Sequence, residues 1–162
     1  AIDRQSFVTG SSSDAGELAK AALLETLSVQ MRDRLPTLFD PTAQEIRAAL
    51  GSFASGKEFA SLARSFYARL TYRSLDYYLS REFAKHTGEE RRFADDTQRM
   101  DFQQALAQHT FEVSRIIQEF SGGWYGKTVW QRNALDQDAI DQFSRYAFKK
   151  MRAERGRRRD TA

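Results

Sequence analysis

Between Lys57 and His86 the apolar residues fall into two stripes at the helical step of about 100° per residue. Phe59, Leu62, Ala63, Phe66, Leu70 and Tyr77 share one side, and Ala68, Tyr72, Leu75, Leu79 and Phe83 lie roughly opposite. A surface helix needs one apolar face; a helix apolar on two sides has to be covered on both. At about 1.5 Å per residue this segment would run roughly 40 Å, enough to be the spine of a small domain.

The flanking patterns supply its cover. Asp14 and Glu17 read as a capping box opening a helix that runs to about Leu35, with Leu24, Leu27, Met31 and Leu35 in one stripe. Asp40-Pro41 reads as an N-cap and first helical proline for a short helix burying Ile46, Leu50 and Phe53. Ser55 with Glu58 starts the spine, and Thr87-Gly88 stops it. A fourth helix over 97–121, capped by Asp95 or Asp96, aligns Phe102, Leu106, His109, Val113, Ile116, Ile117 and Phe120, with Gly122-Gly123 as its end. The segment Trp124 to Trp130 then reads as a loop, at most locally extended over Lys127–Gln131. A last helix from about Asp136 buries Ile140, Phe143, Ala147 and Met151. The expectation is an all-α bundle of about five helices around a long central helix at approximately 56–87. Residues 1–13 form a flexible lead-in, 14–155 the single domain, and 156–162 a basic tail.

Composition narrows this picture. The 162 residues are 41% hydrophobic, suited to one core, and 12 of them are Phe against only two Pro. No apolar run approaches the roughly 18 residues of a membrane span, so no membrane partner is expected. The absence of cysteine excludes disulfides and thiolate metal sites, and with no visible secretion signal the expected location is cytoplasmic. The net charge of +3 hides an asymmetry. Arg145, Lys149, Lys150, Arg152, Arg155, Arg157, Arg158 and Arg159 face a single acid, Glu154, whereas the other 17 basic and 21 acidic residues leave the rest of the chain acidic. A basic face of this kind binds phosphates without sequence preference, or else serves as a solvated helix end.

Three constellations bear on chemistry. Ser121-Gly122-Gly123-Trp124-Tyr125-Gly126-Lys127-Thr128 is similar to the phosphate-binding G-x-x-x-x-G-K-[ST] loop, with serine replacing the first glycine. That loop needs a strand before it and a helix after it, and neither is expected here. The favoured reading makes Trp124, Tyr125 and Trp130 an aromatic anchor, or an interface where a tryptophan is exposed. Arg81-Glu82-Phe83-Ala84-Lys85-His86 has R-x4-H spacing and in this resembles the HEPN domains, all-α nucleases and their relatives. The resemblance implies paired chains cutting RNA, with His86 moving a proton and Arg81 stabilising phosphate charge. The plainer reading sets His86 at a helix C-terminus, where a cation suits the exposed carbonyls. His109 falls in an apolar stripe with Glu112 and Val113 at its ligand spacings, a core histidine rather than a metal site. No metal and no cofactor is expected. The sequence therefore leads to a non-enzymatic helical assembly module, partnered by another protein or by itself. The alternatives are nucleic-acid binding through the C-terminal basic run and a HEPN-like ribonuclease.

Overall fold

A computed structural model describes residues 13–32, 34–35, 40–86 and 96–160, the side chains of 82–86 and 159–160 excepted. The chain forms α1 (Asp14–Arg32), α2 (Ala43–Gly51), a 3-10 turn (Ser52–Ala54), α3 (Gly56–His86), α4 (Asp96–Val113), α5 (Arg115–Arg132) and α6 (Gln137–Asp160). There is no strand among the described residues. The fold is an all-α bundle with α3 at its centre, packed by α1, α4, α5 and the 3-10 turn. From Phe59 to Tyr77 every residue of α3 is at least half-shielded from solvent, so the two-sided apolar pattern corresponds to a rod with neighbours on more than one side.

Local caps explain most of the element starts. Ser55 holds the first turn of α3, its hydroxyl accepting from the Glu58 N–H at 3.2 Å. Asp136 does the same for α6, accepting from the Ala139 N–H at 2.7 Å. That bond holds the Asp136 carboxyl below the usual range. Two caps sit beside their expected places. Ser13 rather than Asp14 caps α1, accepting from the Gly16 N–H at 3.1 Å. Thr42 and Glu45, not Asp40-Pro41, form the reciprocal box that opens α2. Asp95 and the Thr87-Gly88 stop lie outside the described residues.

The expected helix over 97–121 is in fact two helices. Thr110 and Ser114 turn their hydroxyls back onto the carbonyls of Ala107 and Phe111, at 2.9 and 2.7 Å. Such back-bonding competes with the helical ladder and bends it. The chain breaks at Ser114, and the Ile117 N–H then closes a tighter turn on the Ser114 carbonyl at 2.9 Å. Gly122-Gly123 ends nothing, and the supposed loop from Trp124 to Trp130, Lys127–Gln131 included, is part of the last turns of α5. The true stop is Asn133, left-handed at φ 54, whose N–H donates to the Val129 carbonyl at 2.8 Å.

Tertiary contact is what keeps α5 helical through its glycines. At Gly122 the backbone of α5 touches that of α3, and a Cβ there would lie 3.0 Å from the Gly56 carbonyl oxygen. Small and buried residues extend the contact: Ala60 and Ala63 on α3, Ile117 and Ser121 on α5. On the far side, Phe143 of α6 fills the core between Trp124 (ring centroids 4.5 Å apart), Phe120 (5.5 Å), Phe59 (5.6 Å) and Tyr67 (5.9 Å). The buried Tyr67 hydroxyl donates to Ser144 at 2.8 Å, and burial holds its phenol above the usual pKa despite that bond. Phe143, Ala147 and Met151 are buried as expected from their spacing, and so is Phe53. Ile140, Ile46, Leu50 and Leu24 are not: they are 44%, 36%, 45% and 56% exposed, because Ala139, Ala49, Ala22 and Thr26 take the inward positions.

The two neighbouring glycines of α5 should respond oppositely to alanine. At Gly122 the added methyl meets backbone, and Gly122→Ala is expected to destabilise by about 1–3 kcal/mol. At Gly123 a Cβ meets nothing within 4 Å, and Gly123→Ala should stabilise the monomer by roughly 0.5–1 kcal/mol through helix propensity. Urea denaturation of both variants measures the difference.

Candidate functional site

The outward side of α5 combines an exposed tryptophan with two open glycines. Stepping along it, Glu119, Gly123, Gly126 and Trp130 recur at helical spacing, with Lys127 and Arg115 beside them, all exposed. Trp130 is 85% exposed, the highest value among the large hydrophobic side chains described. A Cβ on Gly126, as on Gly123, would meet nothing within 4 Å. Two helix-interior glycines with no neighbour at the Cβ position among the described residues cost helix stability of about 1 kcal/mol each relative to alanine. Nothing among the described residues repays that cost. Arg115 and Glu119 sit 3.5 Å apart on the same surface.

The aromatic anchor is therefore split. Trp124 and Tyr125 pack inward on Phe59, with ring centroids 5.8 and 4.7 Å from it, and the Tyr125 hydroxyl donates to the Ala54 carbonyl at 3.1 Å. Trp130 alone faces solvent. The same geometry disposes of the phosphate-loop likeness. Residues 121–128 are continuous helix, so their N–H groups are spent within the helix, Gly122 is spent on Gly56, and Thr128 is buried.

Arg81 lies with its guanidinium 4.4 Å from the centroid of the Tyr77 ring and donates to the Tyr77 hydroxyl. The Tyr77 hydroxyl in turn donates to Asp14, which holds the phenol above its usual range. The backbone of α3 is described to His86, but the His86 side chain lies outside the described residues, so no Arg81–His86 geometry enters the site. His109 is exposed at the rim between α4 and α6 rather than buried in the α4 stripe, which is formed instead by Phe102, Leu106, Thr110 and Val113. No group of three or more acidic or histidine side chains gathers for a metal ion among the described residues.

The basic run divides by helical phase. Arg145, Lys149, Arg152 and Arg155 project outward from α6, exposed and without an ion pair among the described residues. Arg157 and Arg158 turn to Glu154, the latter at 3.0 Å, and Arg158 also reaches Glu112 at 3.9 Å. The bond from Arg158 holds the Glu154 carboxyl below its usual pKa. Lys150 sits 5.3 Å from the centroid of the Tyr146 ring, which itself packs edge-on to Phe120. The Arg159 side chain lies outside the described residues. No described helix is long and apolar enough to cross a membrane.

A second cationic cluster is already neutralised. The groove of about 380 Å³ between α1 and α3 is lined by Arg69, Arg73, Glu25, Tyr72, Asp76 and Tyr77, among others. Glu25 accepts from Arg73 at 2.7 Å and pairs with Arg69 at 3.1 Å. Burial alone would raise the Glu25 pKa, but the two guanidiniums outweigh it and the net shift is downward. This groove is an internal clamp holding α1 to α3, not an open anion site.

Sequence reasoning found Trp130 but missed Gly123 and Gly126, taking them as punctuation. The signal available was that the 119–123–126–130 spacing continues the helical period. No known protein family, no curated protein and no solved structure matches this chain.

A carboxylate with a lowered pKa stabilises the fold above its ordinary value, and the contribution is lost as pH falls through the lowered one. Glu25→Gln is therefore expected to cost roughly 0.5–1 kcal/mol at pH 7, a value discounted for its partial exposure. The gap to wild type should narrow as pH falls below the ordinary value of 4.5 and through the lowered one, and urea titrations at pH 7 and at descending acid pH measure it.

Proposed function

We propose that this chain is a helical assembly module that pairs with a second copy of itself through the outer face of α5. The observation that carries the reading is the 85% exposure of Trp130 on a stripe whose other positions include two glycines with open space above them. Tryptophan is among the residues enriched at the hot spots of interfaces. Glycines allow a second backbone to come close, as Gly56 and Gly122 do inside the fold.

Charge selects the occupant. Glu119 lies four residues before Gly123 and Lys127 four residues after it. A second α5 packed antiparallel about a two-fold axis at Gly123 sets Glu119 of each copy against Lys127 of the other, twice over. The same rotation brings each Trp130 toward the Arg115–Glu119 end of its neighbour, where a guanidinium can lie on the indole. One helix face buries less than the roughly 800 Å² per partner of a standard interface. Association in the micromolar range is therefore expected.

Light scattering over about 1–200 μM should show a monomer–dimer equilibrium, with tryptophan emission moving to the blue as the dimer fills. Glu119→Lys and Lys127→Glu should each weaken pairing about tenfold or more, and the double exchange should restore it. Gly126→Leu should abolish pairing while the monomer stays folded. A chain that remains monomeric at the upper concentration, or an exchange that fails to rescue, overturns the reading.

A further inference from the structure

The C-terminal half of α6 carries two features that the pairing face leaves unexplained. Arg145, Lys149 and Arg152 are exposed on the side of α6 away from the buried Phe143, Ala147 and Met151, and exposed Arg155 continues the row toward the edge of that face. No ion pair holds any of the four among the described residues, although Glu154 and Glu112 lie nearby and engage Arg158 instead. Beside this row opens a groove of about 350 Å³ between α3, α4 and α6.

The lining of that groove is chemically distinct. Leu75, Val113 and Met151 line it with apolar surface, and the ring of Phe148, 46% exposed, forms part of its wall. Ser74 and Thr110 contribute hydroxyls whose protons go to the carbonyls of Leu70 (2.8 Å) and Ala107 (2.9 Å), leaving oxygen lone pairs to accept. His109, Arg152 and Arg155 complete the lining, and no acidic side chain takes part in it.

We infer that α6 and this groove bind single-stranded nucleic acid, the phosphates tracking Arg145, Lys149, Arg152 and Arg155 and one unpaired base lying in the groove against Phe148. Each feature alone admits other ligands. A small amphiphilic anion would fill the groove but leave Arg145 and Lys149 idle, and a duplex would meet the arginine row but hold its bases stacked away from the groove. A single strand uses both, because its bases are free to leave the backbone and stack on an aromatic ring. The acidic remainder of the chain would confine the strand to this face. Tyr146, the other aromatic beside this row, is taken up by Phe120 and Lys150. The site lies on α6 and the groove beside it, whereas pairing is placed on α5, so either reading stands without the other.

Fluorescence anisotropy with the full chain tests it, using labelled oligouridylate of about 15 nucleotides and a duplex of the same length. The single strand should bind at least tenfold tighter than the duplex. With four phosphates neutralised, affinity should fall roughly 50-fold between 50 and 200 mM salt. Arg152→Ala with Arg155→Ala should weaken binding at least tenfold and roughly halve the salt slope. Phe148 also packs edge-on to Tyr67, at 5.3 Å between ring centroids, so Phe148→Leu is the informative variant: it keeps bulk while removing the stacking face. It should weaken single-strand binding about tenfold and leave the salt slope unchanged. Duplex binding equal to or tighter than the single strand, affinity indifferent to the paired arginine substitutions, or Phe148→Leu matching wild type would each overturn the inference.

Discussion

Backbone meets backbone where Gly56 of α3 touches Gly122 of α5, and the other helices take their positions around that crossing. Bringing two helices this close requires residues without bulk, and the sequence supplies Gly56, Ala60, Ala63, Ser121 and Gly122 along the seam. Close approach lets Ile117 be fully buried and sets Trp124 and Tyr125 onto Phe59, which in turn seats Phe143 and therefore α6. A side chain at either glycine would wedge the seam open and separate the rings that depend on it.

The fold class and the enclosed spine were legible because both rest on periodicity, which survives without tertiary information. The double stripe of residues 57–86 reads as two covered sides, and from Phe59 to Tyr77 the helix is shielded throughout. The misreadings share one cause. Gly122 and Gly123 look like a stop when only local propensity is weighed, yet Gly122 is held in the helix by a contact with a residue 66 positions earlier, at Gly56. Conversely Ser114 looks innocuous, and it breaks the helix because Thr110 acts with it. Large residues such as Ile140 and Leu24 attract assignment to a core, but at close helix spacing alanines win the inward positions.

The candidate surfaces were legible in kind rather than in place. Eight basic residues could be counted, but not which of them Glu154 and Glu112 would occupy. Likewise the three aromatics of 124–130 could be singled out together, whereas only helical phase separates the exposed Trp130 from its inward neighbours. Charge follows a similar division of labour. The α1–α3 contact keeps its arginines occupied by Glu25, while the outer row of α6 leaves its own unmatched. One set of cations serves cohesion and the other faces outward.

Enclosure of the spine also bears on the order in which the chain can become a protein. While α3 emerges from a ribosome, α5, whose seam it shares at Gly122, is still to be translated. The nascent rod would keep the flank that α5 covers bare until residues beyond 115 arrive, so complete docking of the domain must await that helix. Its cooperativity is thus set by sequence distance, and a polypeptide halted before α5 would leave a greasy cylinder for chaperones to shelter.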